Sequence, residues 1–216
     1  MQNKMNIVCG VDEAGRGPVI GALVLCGVAI DEFKVPALVQ LGVKDSKLLT
    51  PKRREMLYDE ILKVIDSHKI IVVEPAEIDE ALNSPHLNLN WLEAIKTAMI
   101  LNELKPHKAI VDCPSNNIAA YSSYLGNLLK EKIDLLLEHN AERYPVVAAA
   151  SIIAKVTRDR LIEDLKKMYG DFGSGYPSDP KTKTFLEKNH GKYPELFRTT
   201  WAPYKKFQQS TLDEFS

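Results

Sequence analysis

The sequence predicts an α/β fold, a sheet flanked by helices and opened by an antiparallel hairpin. Two features carry that expectation. Apolar runs of strand length alternate with stretches of helical periodicity along most of the 216 residues. The first two apolar runs, residues 7–12 and 19–30, are separated by Gly15-Arg16-Gly17-Pro18, which reads as a tight turn, so they pair as neighbours.

The elements follow in order. Residues 7–12 and 19–30 are strands, the second rich in Val, Leu and Ile. Thr50-Pro51 opens a helix, because Thr caps well and Pro suits the first helical position. That helix carries Met56, Leu57, Ile61, Val64 and Ile65 on one side. Residues 69–74 form a third strand, 88–104 a helix, and 108–112 a short strand that ends in a carboxylate. Residues 116–131 are helical and 133–138 strand-like. Pro145 begins a long helix that stops at Gly170. Val146, Ala150, Ile153, Leu161 and Leu165 line its buried side, while Ser151, Lys155 and Arg158 fall on another stripe. Residues 173–180 are a Gly/Pro-rich loop, followed by short helices and an acidic, polar tail.

Composition is that of an ordinary globular protein. No apolar run is long enough to span a membrane. The N-terminus lacks the charged, apolar and cleavage regions of a secretory signal, so a cytoplasmic location is expected. Cys9, Cys26 and Cys113 are scattered in strand-like contexts and read as buried thiols in a reducing compartment. Net charge is only -1, but its distribution is uneven. Residues 151–206 hold 12 Lys/Arg against 7 Asp/Glu, while the remainder holds 16 against 22. A basic C-terminal third suits a polyanion, and an acidic pocket elsewhere suits a cation.

The stretch Val11-Asp12-Glu13-Ala14-Gly15-Arg16-Gly17-Pro18 is the most informative part of the chain. Two carboxylates at the end of a buried strand are costly to keep there, and a bound cation offsets that cost. Glycines on either side of Arg16 let the backbone come close to a ligand. Asp112 ends a second strand, and ligands of open α/β sheets bind at that edge. If the two strands are parallel neighbours, Asp12, Glu13 and Asp112 converge as hard oxygen ligands for Mg²⁺ or Mn²⁺. Such a site suits hydrolysis of a phosphate ester.

These residues resemble the type 2 ribonucleases H, in particular archaeal ribonuclease HII. The similarity rests on residues 12–18, on Lys44-Asp45-Ser46-Lys47-Leu48-Leu49-Thr50, and on Val111-Asp112. It extends to Ala149-Ala150-Ser151-Ile152-Ile153-Ala154-Lys155-Val156 and Gly173-Ser174-Gly175-Tyr176-Pro177-Ser178-Asp179-Pro180, all in the family's order. The resemblance implies an RNase H-like mixed sheet flanked by helices, with a small helical C-terminal extension. It places the catalytic domain at residues 1–172, the extension at 173–208 and a flexible tail at 209–216. It implies a monomer that cleaves RNA paired with DNA, and incises at ribonucleotides embedded in duplex DNA, using Mg²⁺ or Mn²⁺, two ions in the substrate complex. Another RNase H-like nuclease and a catalytically weakened hybrid-binding protein are the alternatives.

Carried over by motif, Asp12, Glu13 and Asp112 resemble the family's metal ligands. Gly15, Arg16 and Gly17 resemble the loop that contacts the ribonucleotide 2′-OH and nearby phosphates, and Tyr176 the aromatic that packs on the sugar. Ser46, Lys47, Ser151, Lys155 and Arg158 are candidate phosphate contacts. Asn90 matches a family Asn ahead of the central helix and has a helix N-cap as its alternative role. One departure concerns the fourth carboxylate. Counting back from Pro145 puts Ala141 at its position, whereas counting forward from His139 puts Glu142 there. His139 is expected to be structural. Gln209, Leu212 and Phe215 resemble a Gln-x-x-aliphatic-x-x-aromatic motif for docking on the sliding clamp, without its second aromatic.

Overall fold

A five-stranded sheet organises the computed structural model, which describes residues 6–213 and side chains as far as Gln208. Its strands are β1 (Ile7–Ala14), β2 (Leu23–Asp31), β3 (Ser67–Val73), β4 (Lys108–Asp112) and β5 (Asp134–Glu138), in the order β3-β2-β1-β4-β5. The pair β1 and β2 is antiparallel, while β1–β4 and β4–β5 are parallel, so the sheet is mixed. The helices are α1 (Val35–Leu41), α2 (Pro51–Val64), α3 (Pro75–Asn83), α4 (Leu89–Leu104), α5 (Ile118–Leu128), α6 (Pro145–Tyr169), α7 (Pro180–Asn189) and α8 (Ala202–Asp213).

Two glycines show how helices cover the sheet. A Cβ at Gly10 would lie 2.3 Å from the backbone of Val146, so α6 rests directly on β1. A Cβ at Gly27 would lie 2.2 Å from Ile100 Cγ2, so α4 rests on β2. Gly27 pairs with Val11, and successive strand residues point to opposite faces. Gly10 and Gly27 therefore face opposite ways, and α6 and α4 cover the two faces of the sheet. From Val146 to Ala154 every residue of α6 is buried, where the sequence predicts one buried side only. Small side chains permit that enclosure. Farther along, Ile162 is buried while Leu161 and Leu165 are half-buried.

The contacts divide the chain into two units, each drawn from non-adjacent segments. One holds the N-terminal strand through Ala14 with Val24–Ile71 and Asn90–Thr157. The other holds Gly15–Leu23, Val72–Leu89 and the chain from Arg158 onward. In this second unit Val19, Ile20, Ile162, Phe172, Leu186, Leu196, Phe197 and Tyr204 form their own core.

Several expectations need correction. The second strand begins at Leu23, not at residue 19, and the connection from β1 is a loop rather than a tight turn. Val19 and Ile20 are apolar because they join the second core, where Ile20 bridges Phe197. In α2, Thr50 accepts a hydrogen bond from the Arg53 amide as expected of a cap, but Met56 is exposed. Only Leu57 and Ile61, with Arg54, form its buried stripe. Glu74 is not in the third strand, since it precedes Pro75 at the start of α3. The short helices α1 and α3 are not among the elements expected from the sequence. The tail does not begin at residue 209: the backbone of α8 runs through Gln209 and Leu212 to Asp213. The side chains of Gln209 and Leu212, and all of Phe215, lie outside the described residues.

Cys9, Cys26 and Cys113 are free and buried, as the sequence predicts. Burial pushes the Cys9 thiol up to about 12 and raises Cys26 and Cys113 as well. Among the described residues no helix is long and apolar enough to cross a membrane.

Candidate active site

Strand register builds a carboxylate cluster. Val11 pairs with Val111 across the parallel β1–β4 ladder, so Asp12 and Asp112 leave adjacent strand ends side by side. Strand β5 lies beyond β4 and leads to Asn140, whose left-handed backbone (φ 57°) turns the chain into a short 3-10 helix, Ala141–Arg143. That turn brings Glu142 inward. Asp12, Asp112 and Glu142 each place a carboxylate oxygen within 4.8 Å of the others. Asp12 and Glu142 are buried and Asp112 is half-buried.

The geometry separates the two countings around the fourth carboxylate. Glu142 joins the cluster. Ala141 is fully buried, and its amide donates to Asp112 Oδ1 at 2.9 Å. The Glu13 carboxylate is not part of this three-residue cluster. It follows Asp12 in the strand and so points to the other face, where its charge acts on the Cys113 thiol and the Tyr121 phenol. His139 donates through Nδ1 to the Cys113 carbonyl at 2.9 Å, a structural role.

Burial and neighbouring negative charge raise the proton affinity of Asp12 and Asp112. Burial pushes Asp12 up to about 8, with the Asp112 and Glu142 charges adding to it and the Ser151 hydroxyl and Glu13 amide opposing it. Asp112 is raised by burial and by Glu142, against the Ala141 amide. Lys47 Nζ reaches Glu142 Oε1 at 3.2 Å. Partial burial pulls the Lys47 ammonium down, but its hydrogen bond and attraction to Glu142 outweigh this and hold it above its ordinary value. The donor set is all carboxylate oxygen, one lysine does not neutralise it, and it fits a hard divalent cation.

Of the predicted phosphate contacts, Ser46 and Ser151 are buried, with their hydroxyls 3.0 Å apart. Ser151 also bonds Asp12, so this pair supports a carboxylate rather than facing solvent. Lys47 is largely exposed, and Lys155 is half-buried on α6. Asn90 lies inside the first turn of α4, not at its N-cap.

A separate group of predicted residues lies in the other unit. Gly15 adopts φ 91°, a conformation that excludes ordinary side chains, and a Cβ there would strike Arg158 Nε at 2.2 Å. Gly17 is exposed and Arg16 half-buried. Tyr176 comes from the loop before α7, 40% exposed, and its ring would stand 3.5 Å from a Cβ on Gly17. The loop is held by its own backbone: Val19 and Ile20 amides donate to the Gly175 carbonyl, and the Gly175 amide donates to the buried Thr182 hydroxyl. Arg158 stacks on Tyr176, 5.7 Å from the ring centre. It is 2% exposed, and its Nε and Nη2 have no hydrogen-bond partner among the described residues. Burial accordingly lowers its proton affinity. An arginine expected on an open stripe is thus enclosed.

Sequence reasoning missed Arg198. It is fully buried and donates from Nε and Nη2 to the Gly21 carbonyl, from Nη1 to that of Arg16 and from Nη2 to that of Gly15. Its flanking aromatics, Phe197 and Trp201, are the sequence signal that could have drawn attention to it.

A family model described as Ribonuclease HII matches residues 9–204. The chain is 47% identical over 220 residues to ribonuclease HII of Pyrococcus horikoshii, covering 96% of this chain and 98% of the relative. Its fold is similar to the crystal structure of ribonuclease H2 from Pyrococcus horikoshii OT3, with TM-score 0.87, 46% identity, and coverage of 94% of this chain and 98% of that one. It is also similar to a chain in the structure of the PCNA:RNase HII complex from Archaeoglobus fulgidus, with TM-score 0.82, 42% identity, and coverage of 90% and 95%. Strand order, the carboxylate cluster and these likenesses agree, and the chain belongs to the ribonuclease HII family.

Proposed function

We propose that this chain, an endoribonuclease acting on RNA paired with DNA, also incises at single ribonucleotides in duplex DNA and leaves a 5′-phosphate. The observation that carries the reading is the convergence of Asp12, Asp112 and Glu142 within 4.8 Å. These residues would hold Mg²⁺ or Mn²⁺, with Glu13 contributing to a second ion in the substrate complex. When bound, the ion supplies Lewis acidity to the phosphodiester and to the attacking water. Ser151 and the Ala141 amide keep Asp12 and Asp112 in place. Lys47, exposed beside Glu142, would contact a backbone phosphate. Gly15, Arg16 and Gly17 read the 2′-OH, the group that separates RNA from DNA, and Tyr176 packs on the sugar. Lys155 adds a sequence-independent phosphate contact.

The test is a nicking assay on two duplexes that differ by one ribonucleotide, with Mg²⁺, with Mn²⁺ and with chelator. Incision of the ribonucleotide duplex alone, and only with a divalent ion, is the expected result. Equal incision of the all-DNA duplex would contradict the substrate reading. The context would be primer removal and ribonucleotide repair.

The C-terminal Gln209, Leu212 and Phe215 are proposed to dock on a sliding clamp, a reading supported by the likeness to the ribonuclease HII solved with PCNA. Deleting residues 209–216 should abolish clamp binding in calorimetry and leave cleavage of short duplexes unchanged. Equal clamp affinity with and without the segment refutes this role.

A further inference from the structure

Arg198 is a cation with no exposed surface, and it spends its donors on one loop. The guanidinium reaches Gly15 O at 2.6 Å, Arg16 O at 3.0 Å and Gly21 O at 2.9 and 3.0 Å. Its face lies on Trp201, 4.9 Å from the ring centre. A planar fork of N–H groups suits several fixed carbonyls at once, as an ammonium does not. The residue is itself held firmly. Its amide donates to the Val19 carbonyl at 2.9 Å. The next two residues, Thr199 and Thr200, give both amides and both hydroxyls to the buried Asp79 carboxylate.

Peptide planarity turns this grip into a functional statement. In a trans peptide the C=O of one residue and the N–H of the next point in opposite directions. Arg198 fixes the carbonyls of Gly15 and Arg16. The amides of Arg16 and Gly17 are therefore fixed pointing away from Arg198. Gly17 is exposed and Tyr176 stands over it, so this is the side open to a ligand. A flexible glycine loop would otherwise distribute those donors over many directions.

We infer that Arg198 is the positioning residue for ribonucleotide recognition: by holding the Gly15 and Arg16 carbonyls it aims the Arg16 and Gly17 amides at the substrate. This rests on the proposal that the Gly15–Gly17 loop reads the sugar. Arg198 touches no substrate, and it acts on selectivity rather than on the carboxylates.

The experiment compares full-length wild type and Arg198→Lys by fluorescence anisotropy in chelator, so that no cleavage intervenes. The probes are two labelled duplexes identical except for one ribonucleotide. Lysine keeps the charge and loses the fork. The expected result is a loss of about tenfold in the preference for the ribonucleotide duplex, with affinity for all-DNA duplex changed by no more than about twofold. Thermal melting by circular dichroism establishes that the variant is folded. An unchanged preference in folded Arg198→Lys overturns the inference, as does an equal fall for both duplexes. If Arg198→Lys does not fold, Thr199→Val decides instead, since it removes one tie to Asp79 and leaves Arg198 in place. A smaller loss of preference, about threefold, is then expected, and no loss overturns the inference. A wild type with no preference overturns the sugar-reading proposal itself, and the role of Arg198 falls with it.

Discussion

Asp12 of the carboxylate cluster and the Gly15–Gly17 loop are separated in sequence by Glu13 and Ala14 alone, yet the two regions hold charge in opposite ways. At Asp12, Asp112 and Glu142, like charges converge in a half-dry site, and Asp12 responds by rising to about 8. At the loop, the Arg198 guanidinium is fully buried but makes four hydrogen bonds to carbonyls. The first arrangement is relieved only by a ligand of opposite charge. The second is complete before any ligand arrives. A cleavage site gains from an unmet demand for a cation, because binding then releases energy where the chemistry occurs. A reading site gains from having its donors fixed in advance. Arg158 is the exception in the second region: among the described residues, its Nε and Nη2 have no hydrogen-bond partner.

The comparison breaks most visibly at the carboxylates. Asp12→Asn or Asp112→Asn should lower cleavage by about a thousandfold or more, because each removes a ligand charge without altering shape. Affinity for the hybrid, measured by anisotropy, should stay within about threefold, since phosphate contacts lie elsewhere. Full activity in either variant would show that the cluster is not the cleavage site.

Glu142→Gln comes next. If Glu142 is the fourth carboxylate, turnover at saturating Mn²⁺ should fall by about tenfold or more. Ala141→Asp should not raise it, because the Ala141 side chain is buried and its backbone already serves Asp112. A near-neutral Glu142→Gln would transfer the role to Glu13.

At the loop, Tyr176→Ala should cut cleavage at a lone ribonucleotide by about tenfold and leave all-DNA binding nearly unchanged. An equal drop in both would reduce Tyr176 to a fold contact.

The smallest effect is thermodynamic. The folded protein binds the Asp12 proton more tightly than the unfolded chain, whose carboxyl titrates near 3.8. Metal-free stability should therefore fall as pH rises from about 4 to about 8 and level off above that. Asp12→Asn should flatten the profile and raise the melting temperature at pH 8 by about 4 °C or more. A divalent cation should restore the wild type, more effectively at pH 8 than at pH 5, because protons compete for the same oxygens. Identical pH profiles for wild type and Asp12→Asn would mean that the cluster stores no such cost.

Much of this was legible in the sequence. Asp12 and Asp112 each close an apolar run, and such runs betray parallel neighbours whose ends coincide. Gly10, in mid-strand, went unread, although a strand glycine permits the close backbone approach that Val146 makes there. Glu142 was not decidable by counting, because a left-handed Asn140 and a 3-10 turn change the register between strand and helix. Adjacency to Asp12 did not show that the Glu13 carboxylate stands apart from the three-residue cluster, because neighbours in a strand face opposite ways. Ser151 and Arg158 lay on a polar stripe of α6, which the fold encloses. Arg198 was missed because its partners are backbone carbonyls more than 170 residues away, and main-chain acceptors leave no side-chain pattern beyond the aromatics near it.

The buried cysteines bear on how the enzyme meets oxidants. Cys9 sits on β1, the strand that carries Asp12, and Cys26 lies opposite Asp12 in the β1–β2 ladder. With their proton affinities raised, neither is a thiolate at neutral pH, and only thiolates are attacked readily by peroxides or alkylating agents. Chemical damage thus waits for the sheet to open. The strand that bears Asp12 carries its own record of opening, written as modified sulfur only in molecules that have already let go of the fold.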